Sequence, residues 1–119
     1  MIMLIETTVI GYLSSALQTN NVYAERPIDL PEEYYIIEKT AAGEENHIQK
    51  ATVAVQSISS VSLLNAATMS KAAKKAMKSI TSIAEIGKCQ LNSAYNFTNP
   101  ETREYRYQAI FDLTYVEGE

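Results

Sequence analysis

Residues that can act as nucleophiles or general bases are few in this sequence. His47 is the one histidine, and it lies close to Glu44 and Glu45 in the sequence. Cys89 is the one cysteine, and it falls on the side of a predicted strand that we expect to face the core. A nucleophilic Cys–His pair requires the two side chains to meet. We therefore interpret His47 as a surface residue and Cys89 as a buried, unreactive thiol.

Paired carboxylates, the usual groups for acid–base catalysis, occur only in or beside predicted turns. The pairs are Glu32 with Glu33, Glu44 with Glu45, and Glu101 with Glu104. Because solvent keeps such groups ordinary, none of the pairs suits a general acid or base. The four glycines form no phosphate-binding loop, and no serine lies in a nucleophile-elbow sequence. The sequence therefore predicts a protein that is not an enzyme and that binds no cofactor and no metal.

Four lysines form the one strong charge pattern. Lys71, Lys74, Lys75 and Lys78 are spaced so that they align along a predicted helix, opposite its apolar stripe. Such a row can bind an acidic surface or phosphates, and it is also the ordinary solvated coat of an exposed helix. The whole chain carries 14 acidic and 10 basic residues, a net charge of -4 that gives no support for nucleic-acid binding.

Composition places the chain among ordinary globular proteins. At 119 residues with 46% hydrophobic and 20% charged side chains, it has the apolar content to fold around one core. A single cysteine forms neither an intrachain disulfide nor a zinc site of several thiolates, which favours folding in a reducing cytosol. We expect no signal peptide, because Glu6 interrupts residues 1–16 and no basic residue precedes it. No apolar run reaches the ~20 residues of a membrane span.

Periodicity in the first half predicts a helix and three strands. Apolar residues at spacings of three and four predict a helix over 5–17. A short strand follows at 22–25, and the prolines at 27 and 31 mark a loop. Residues 34–40 and 47–58 predict two strands joined by a polar turn at 42–46, so the two strands should pair as a hairpin.

The second half predicts one long helix and a second hairpin. Residues from 60 to about 84 contain neither glycine nor proline, and Ser59-Ser60 offers capping hydroxyls. The apolar stripe of this helix consists of Ala66, Met69, Ala73, Ala76, Ile80 and Ile83. Beyond Gly87, residues 88–95 alternate with Cys89, Leu91, Ser93 and Tyr95 on one side, and residues 105–115 alternate more clearly still.

These elements predict a single α+β domain over residues 1–119. Its order is α-β-β-β-α-β-β, with an antiparallel sheet and both helices on one face. This two-layer arrangement leaves the other sheet face and at least one edge uncovered. Tyr34 and Tyr35 are adjacent in a strand, so they must point to opposite faces, and one of them is a candidate for a contact with another subunit.

Four segments carry a resemblance that spans nearly the whole chain. They read VYAERP at 22–27, PEEYYIIEKT at 31–40, QLNSAYNFTN at 90–99 and REYRYQA at 103–109. The sequence is similar to the tail terminator or tail completion proteins of long non-contractile-tailed phages, which are often carried in prophages.

The resemblance implies a structural subunit without catalytic residues. It implies six copies closing into a ring on the end of the tail tube, where they stop its growth and offer a surface to the head connector. The expected partners are therefore other copies of the chain, the tail-tube protein and the head–tail connector, with no membrane and no specific nucleic acid. The expected location is the tail or neck of the virion, with assembly in the host cytoplasm. The assembly-interface candidates are Tyr34, Tyr35, Glu44, Glu45, Asn46, Lys71, Lys74, Lys75, Lys78, Asn99, Glu101 and Arg103.

Three alternatives stay open on the sequence. The chain can be another neck protein, either a head completion protein or a head–tail adaptor, because those small proteins share folds and form rings. It can be a nucleic-acid-binding module that uses the lysine row, with affinity that falls steeply as salt rises. A catalytic site assembled from scattered glutamates, tyrosines and His47 requires a deep pocket with convergent polar groups, whereas we expect shallow clefts.

Overall fold

The predicted α+β fold, with its element order, is confirmed by a computed structural model that describes residues 4–98, 101 and 104–116. The elements in chain order are α1 (Ile5–Ala16), β1 (Val22–Tyr23), β2 (Glu33–Glu45), β3 (Ile48–Ser59), α2 (Leu63–Met77), a short 3₁₀ helix (Ile80–Ser82), β4 (Ile86–Asn96) and β5 (Tyr105–Tyr115). The strands form one five-stranded sheet in the order β1-β2-β3-β5-β4.

Both predicted hairpins are present, and β3 and β5 form the centre of the sheet. All three pairings among β2, β3, β5 and β4 are antiparallel. The exception is β1, which pairs with β2 in parallel at Tyr35 and Ile36. The antiparallel sheet predicted from the sequence therefore has one short parallel pairing, at this edge, and β1 is two residues long rather than four.

The core lies between the two helices and one face of the sheet, as the periodicity predicts. On α1 the buried residues are Ile5, Val9 and Leu13, one turn apart. The sheet supplies the alternating residues of its two central strands: Ala51, Val53, Val55, Ala109, Phe111, Leu113 and Tyr115. A hydrogen bond from the Tyr12 hydroxyl to the Ala76 carbonyl oxygen (2.7 Å) joins α1 to α2.

The second helix is shorter than predicted and begins later. Its N-cap is Ser62, whose hydroxyl oxygen accepts a hydrogen bond from the Asn65 amide (3.0 Å). Ser59 instead ends β3, and its hydroxyl donates to the Glu33 carboxylate (3.0 Å). That carboxylate also accepts from Asn65 Nδ2 (2.9 Å), so it fixes the entry into the helix. The buried stripe of α2 is Ala66, Ser70, Ala73 and Met77, shifted from the predicted stripe at two positions.

The hairpin of β2 and β3 is longer than predicted. The strands continue to Glu45 and Ile48, so the turn consists of Asn46 and His47 and not of residues 42–46. Both turn residues have positive φ (51° and 66°). A two-residue hairpin turn needs this conformation to match the right-handed twist of its two strands. Glu44 and Glu45 therefore lie in a strand, with side chains on opposite faces.

The alternation predicted for β4 fails halfway along the strand. The register with β5 shifts between Leu91 and Ser93, which is the signature of a β-bulge. As a result Cys89 and Leu91 pair with core residues of β5, whereas Tyr95 pairs with Gln108 on the opposite face. Among the described helices, none combines the length and apolar character needed to cross a membrane.

The helix-facing core dominates stability, so its truncation should be costly. Leu13 is 0% exposed and Leu64 is 76% exposed, and both lie in helices. We expect Leu13→Ala to lower the free energy of unfolding by about 2–5 kcal/mol, because it removes buried methyl groups and leaves a cavity. The matched control Leu64→Ala should change it by less than about 0.5 kcal/mol. Urea unfolding followed by circular dichroism measures both, and equal losses would contradict the core described here.

Candidate functional site

The residues able to do covalent chemistry are not gathered into a site. His47 lies exposed at the hairpin turn. Cys89 lies on the edge strand β4 and packs against the core. Burial raises the pKa of the Cys89 thiol to about 11, so the thiolate is scarce at neutral pH. Within the described residues, no three His, Cys, Asp or Glu side chains form a group that could hold a metal ion.

A partly buried ionic network holds the loop between β1 and β2, residues 24–32, which we call the acidic loop. Arg26 of this loop lies 2.8 Å from Glu104 Oε1, and the Tyr34 hydroxyl donates to Glu104 Oε2 (2.7 Å). The Tyr23 ring packs edge-on against the Tyr34 ring, with their centroids 6.4 Å apart. Because Glu104 precedes β5 directly, the network ties the loop to two different strands.

Tyr34 and Tyr35 point to opposite faces, as predicted, but neither is available to another subunit. They are 2% and 7% exposed, because the network covers Tyr34 while the helices cover Tyr35. The Tyr35 hydroxyl donates to the Met69 carbonyl oxygen in α2 (3.2 Å). Burial raises the pKa of both tyrosines to about 12. The prediction that one of this pair forms an intersubunit contact is therefore wrong for the folded chain.

The acidic loop itself presents apolar side chains to solvent. Ile28 is 100% exposed and Leu30 is 45% exposed, although the loop that carries them is held in place by Arg26. Three exposed carboxylates lie in the same loop: Glu25, Asp29 and Glu32. None of them forms an ion pair with any other described residue. Exposed apolar residues rimmed by charge are typical of a protein-binding surface.

Lys71, Lys74 and Lys75 are on α2 and Lys78 is its C-cap residue, and the lysines divide between two sides of the helix. Lys74 and Lys78 line a cavity of about 250 Å³ between α2 and β4. Its remaining lining is Cys89, Gln90, Leu91 and Phe111, and we call this cavity the lysine pocket. Lys75 borders a separate groove between α1 and α2, beside Tyr12 and Leu17. No described carboxylate pairs with any of the four lysines.

The sheet face away from the helices is polar and crossed by side-chain hydrogen bonds. Gln56 Nε2 donates to Gln108 Oε1 (3.1 Å), and Gln108 Nε2 donates to the Tyr95 hydroxyl oxygen (2.6 Å). Asp112 accepts from the Thr52 hydroxyl and from Asn92 Nδ2, each at 3.0 Å. These side-chain hydrogen bonds link the neighbouring strands β3, β5 and β4, so they order this face without a covering helix.

The hairpin turn is exposed in full, and the second predicted turn is described only in part. Glu44, Glu45 and Asn46 are all exposed, with Gln49 Nε2 donating to the Glu44 carboxylate. Glu101 is also exposed. Asn99 and Arg103 lie outside the described residues.

Sequence reasoning missed the acidic loop, which carries the most exposed apolar side chain of the described chain. The signal was present in the pattern PIDLP at 27–31, where two aliphatic residues lie between prolines that exclude a central strand. Apolar residues in such a loop must either pack beneath it or face outward, and only the fold shows that Ile28 faces outward.

Comparison with known proteins finds a likeness of fold. A chain in the virion of a native gene transfer agent particle is similar, with a TM-score of 0.58 and 15% sequence identity. The match covers 89% of this chain and 84% of that chain. At this identity the likeness concerns the fold alone. No protein-family model and no curated protein sequence matches the chain.

The buried tyrosines should make the free energy of unfolding fall at alkaline pH. Unfolding lowers the pKa of Tyr34 from about 12 to the ordinary tyrosine value of about 10, so the unfolded chain loses this proton first. The contribution is fully present below about pH 10 and is lost as pH rises through about 12, at about 1.4 kcal/mol per pH unit. We expect Tyr34→Phe to flatten the fall in unfolding free energy over this range, and Tyr35→Phe to act likewise.

Urea titrations at several alkaline pH values measure this slope. At neutral pH, Tyr34→Phe should also cost about 1–3 kcal/mol, because Glu104 loses a buried hydrogen-bond donor. A Tyr34→Phe variant with the wild-type slope would contradict the burial of this hydroxyl.

Proposed function

We propose that this chain is a structural subunit of a phage-like virion, and that copies of it form a ring that caps the tail tube and offers a joining surface to the head. The observation that carries the proposal is the fold, which a chain of a gene transfer agent virion shares over most of both lengths. The resemblance of the sequence to tail terminator proteins supports the finer role. The expected location is the tail or neck of the virion, after assembly in the host cytoplasm.

The free edges of the sheet suit a ring with head-to-tail contacts. Among the described residues, β4 has no strand on its outer side, and β2 has only the two residues of β1. These edges lie at opposite ends of the sheet, so one copy can present one edge to the next copy's other edge. Such a heterologous contact closes into a ring when the rotation between copies allows it, and it covers edges that otherwise invite aggregation.

We assign the hairpin tip to a partner outside the ring. The described chain measures 44 × 24 × 22 Å, so it is elongated. The tip of the long β2–β3 hairpin carries Glu44, Glu45 and Asn46, all exposed to solvent. We propose that this tip contacts the tail-tube protein or the head–tail connector. The assignment leaves the chain without a catalytic role.

A different neck role, as a head completion protein or head–tail adaptor, shares the same supporting observation. A chain of a virion particle with this fold is compatible with any ring at the junction of head and tail. The two roles differ in the partner that the ring binds, so the partner decides between them.

The test is the solution mass of the purified protein over a range of concentration, measured by light scattering with and without polymerised tail-tube protein. We expect a ring of about six subunits, formed alone or on the tube end, because head-to-tail contacts close at a defined number. Electron microscopy should show a cap on the tube end, and capped tubes should not lengthen over time. A persistent monomer that ignores the tube would overturn the proposal, and a ring that binds only the connector would assign the chain to the neck.

A further inference from the structure

Two surfaces of this chain carry opposite charges, and each also has apolar side chains. The acidic loop projects Ile28 and Leu30 among three carboxylates that form no ion pair with any described residue. The lysine pocket has an apolar floor of Cys89, Leu91 and Phe111 and a rim formed by two lysines. Within the described chain, the loop carboxylates have no basic partner and the two lysines have no acidic partner.

We infer that the acidic loop of one copy docks into the lysine pocket of the next copy, an interface that rests on the ring proposed above. Ile28 enters the pocket, whose volume of about 250 Å³ exceeds that of one aliphatic side chain. Asp29 and Glu32 face Lys74 and Lys78 at the rim. The contact thus has an apolar side chain at its centre and oppositely charged pairs at its rim. This is the usual arrangement of a protein interface.

The occupant is a second copy and not the same chain. The acidic loop connects β1 to β2, whereas the lysine pocket lies beside β4, at the other end of the strand order. Ile28 is fully exposed, so it does not fill the pocket of its own chain. Because the two surfaces differ and belong to opposite edges, the contact is heterologous, which is the type that builds rings.

The network around Glu104 explains how the loop can act as an anchor. Arg26 and Tyr34 hold Glu104 at 2.8 and 2.7 Å, so the segment just before Ile28 is fixed before association. A surface ordered in advance loses less conformational entropy when it binds. The Arg26–Glu104 pair is therefore a positioning contact for the interface.

Charge reversal tests the interface directly. The loop variant Asp29→Lys/Glu32→Lys and the pocket variant Lys74→Glu/Lys78→Glu each place like charges across the contact. We expect each to raise the concentration needed for half-assembly by at least about tenfold, since like charges at an interface are strongly unfavourable. The control Lys39→Glu/Lys50→Glu reverses two exposed lysines of the β2–β3 hairpin that belong to neither surface, so it has the same net charge as the pocket variant and should assemble like wild type. Circular dichroism verifies that all three fold.

Mixing the two variants gives the sharpest outcome. The reversed loop matches the reversed pocket, and the native loop matches the native pocket, so an equimolar mixture should recover rings with an even number of subunits. The four-substitution variant should also recover assembly. If wild type forms rings while the loop variant or the pocket variant assembles normally, the interface lies elsewhere and the inference falls while the ring proposal stands. If wild type forms no ring, both fall.

Cross-linking provides a second readout that does not depend on charge. Leu91 lines the pocket and is 45% exposed, so Ile28→Cys/Leu91→Cys in a Cys89→Ser background introduces two accessible thiols that should meet across the interface. Oxidation, or a short bis-maleimide, should give a covalent ladder that ends at the ring size. The control Ile28→Cys/Cys89→Ser should stop at dimers, and Glu44→Cys in place of Ile28→Cys should give no ladder. A ladder absent from assembled rings of the two-cysteine variant would overturn the inference.

The lysines can instead serve nucleic acid, and the same variants detect this. If the pocket variant assembles normally but loses salt-sensitive binding to double-stranded DNA, the lysine pocket is a phosphate-binding surface and the inference is overturned.

Discussion

Burial of one sheet face under two helices is the constraint on which the rest of this structure depends. The central strands β3 and β5 pair without a register shift, and their alternating apolar residues meet the stripes of α1 and α2. Two helices cover only one face of a sheet this wide. The polar side chains of the second face must therefore form hydrogen bonds with one another across neighbouring strands, as those around Gln108 and Asp112 do.

The same constraint leaves the sheet edges open, and the chain handles its two ends differently. At the β2 end, the acidic loop is fastened over the sheet by Arg26, Glu104 and Tyr34. At the β4 end, bulges interrupt the pairing with β5 and lysines of α2 flank the edge. Bulges and lysines both discourage indiscriminate strand pairing. In the proposed ring, contacts through side chains are then favoured over simple extension of the sheet, and the opposite charges at the two ends would give the ring a direction.

Much of the fold was predictable because it follows from local periodicity. The helix at Ile5, the paired strands around Val53 and the alternation of β5 each repeat their pattern often enough to identify the element. The errors arose where a pattern is interrupted by non-local pairing. The hairpin continued through residues that favour turns because β3 paired with them, and Tyr95 changed face because of a bulge that no sequence spacing reveals. In α2, Ser62 capped the helix because the Ser59 hydroxyl bonds Glu33.

The sequence by itself determined the layers, the helix-facing core and the lysine row, because each depends on spacing along a single element. It also determined that Cys89 and His47 stand apart from any evident catalytic motif. Only the tertiary structure decided which surfaces are free. Tyr34 is buried because Arg26 and Glu104 come to it from distant parts of the chain, and Ile28 is exposed because the same network turns its loop outward. Burial depends on what the rest of the chain places nearby, and spacing within one segment does not contain that information.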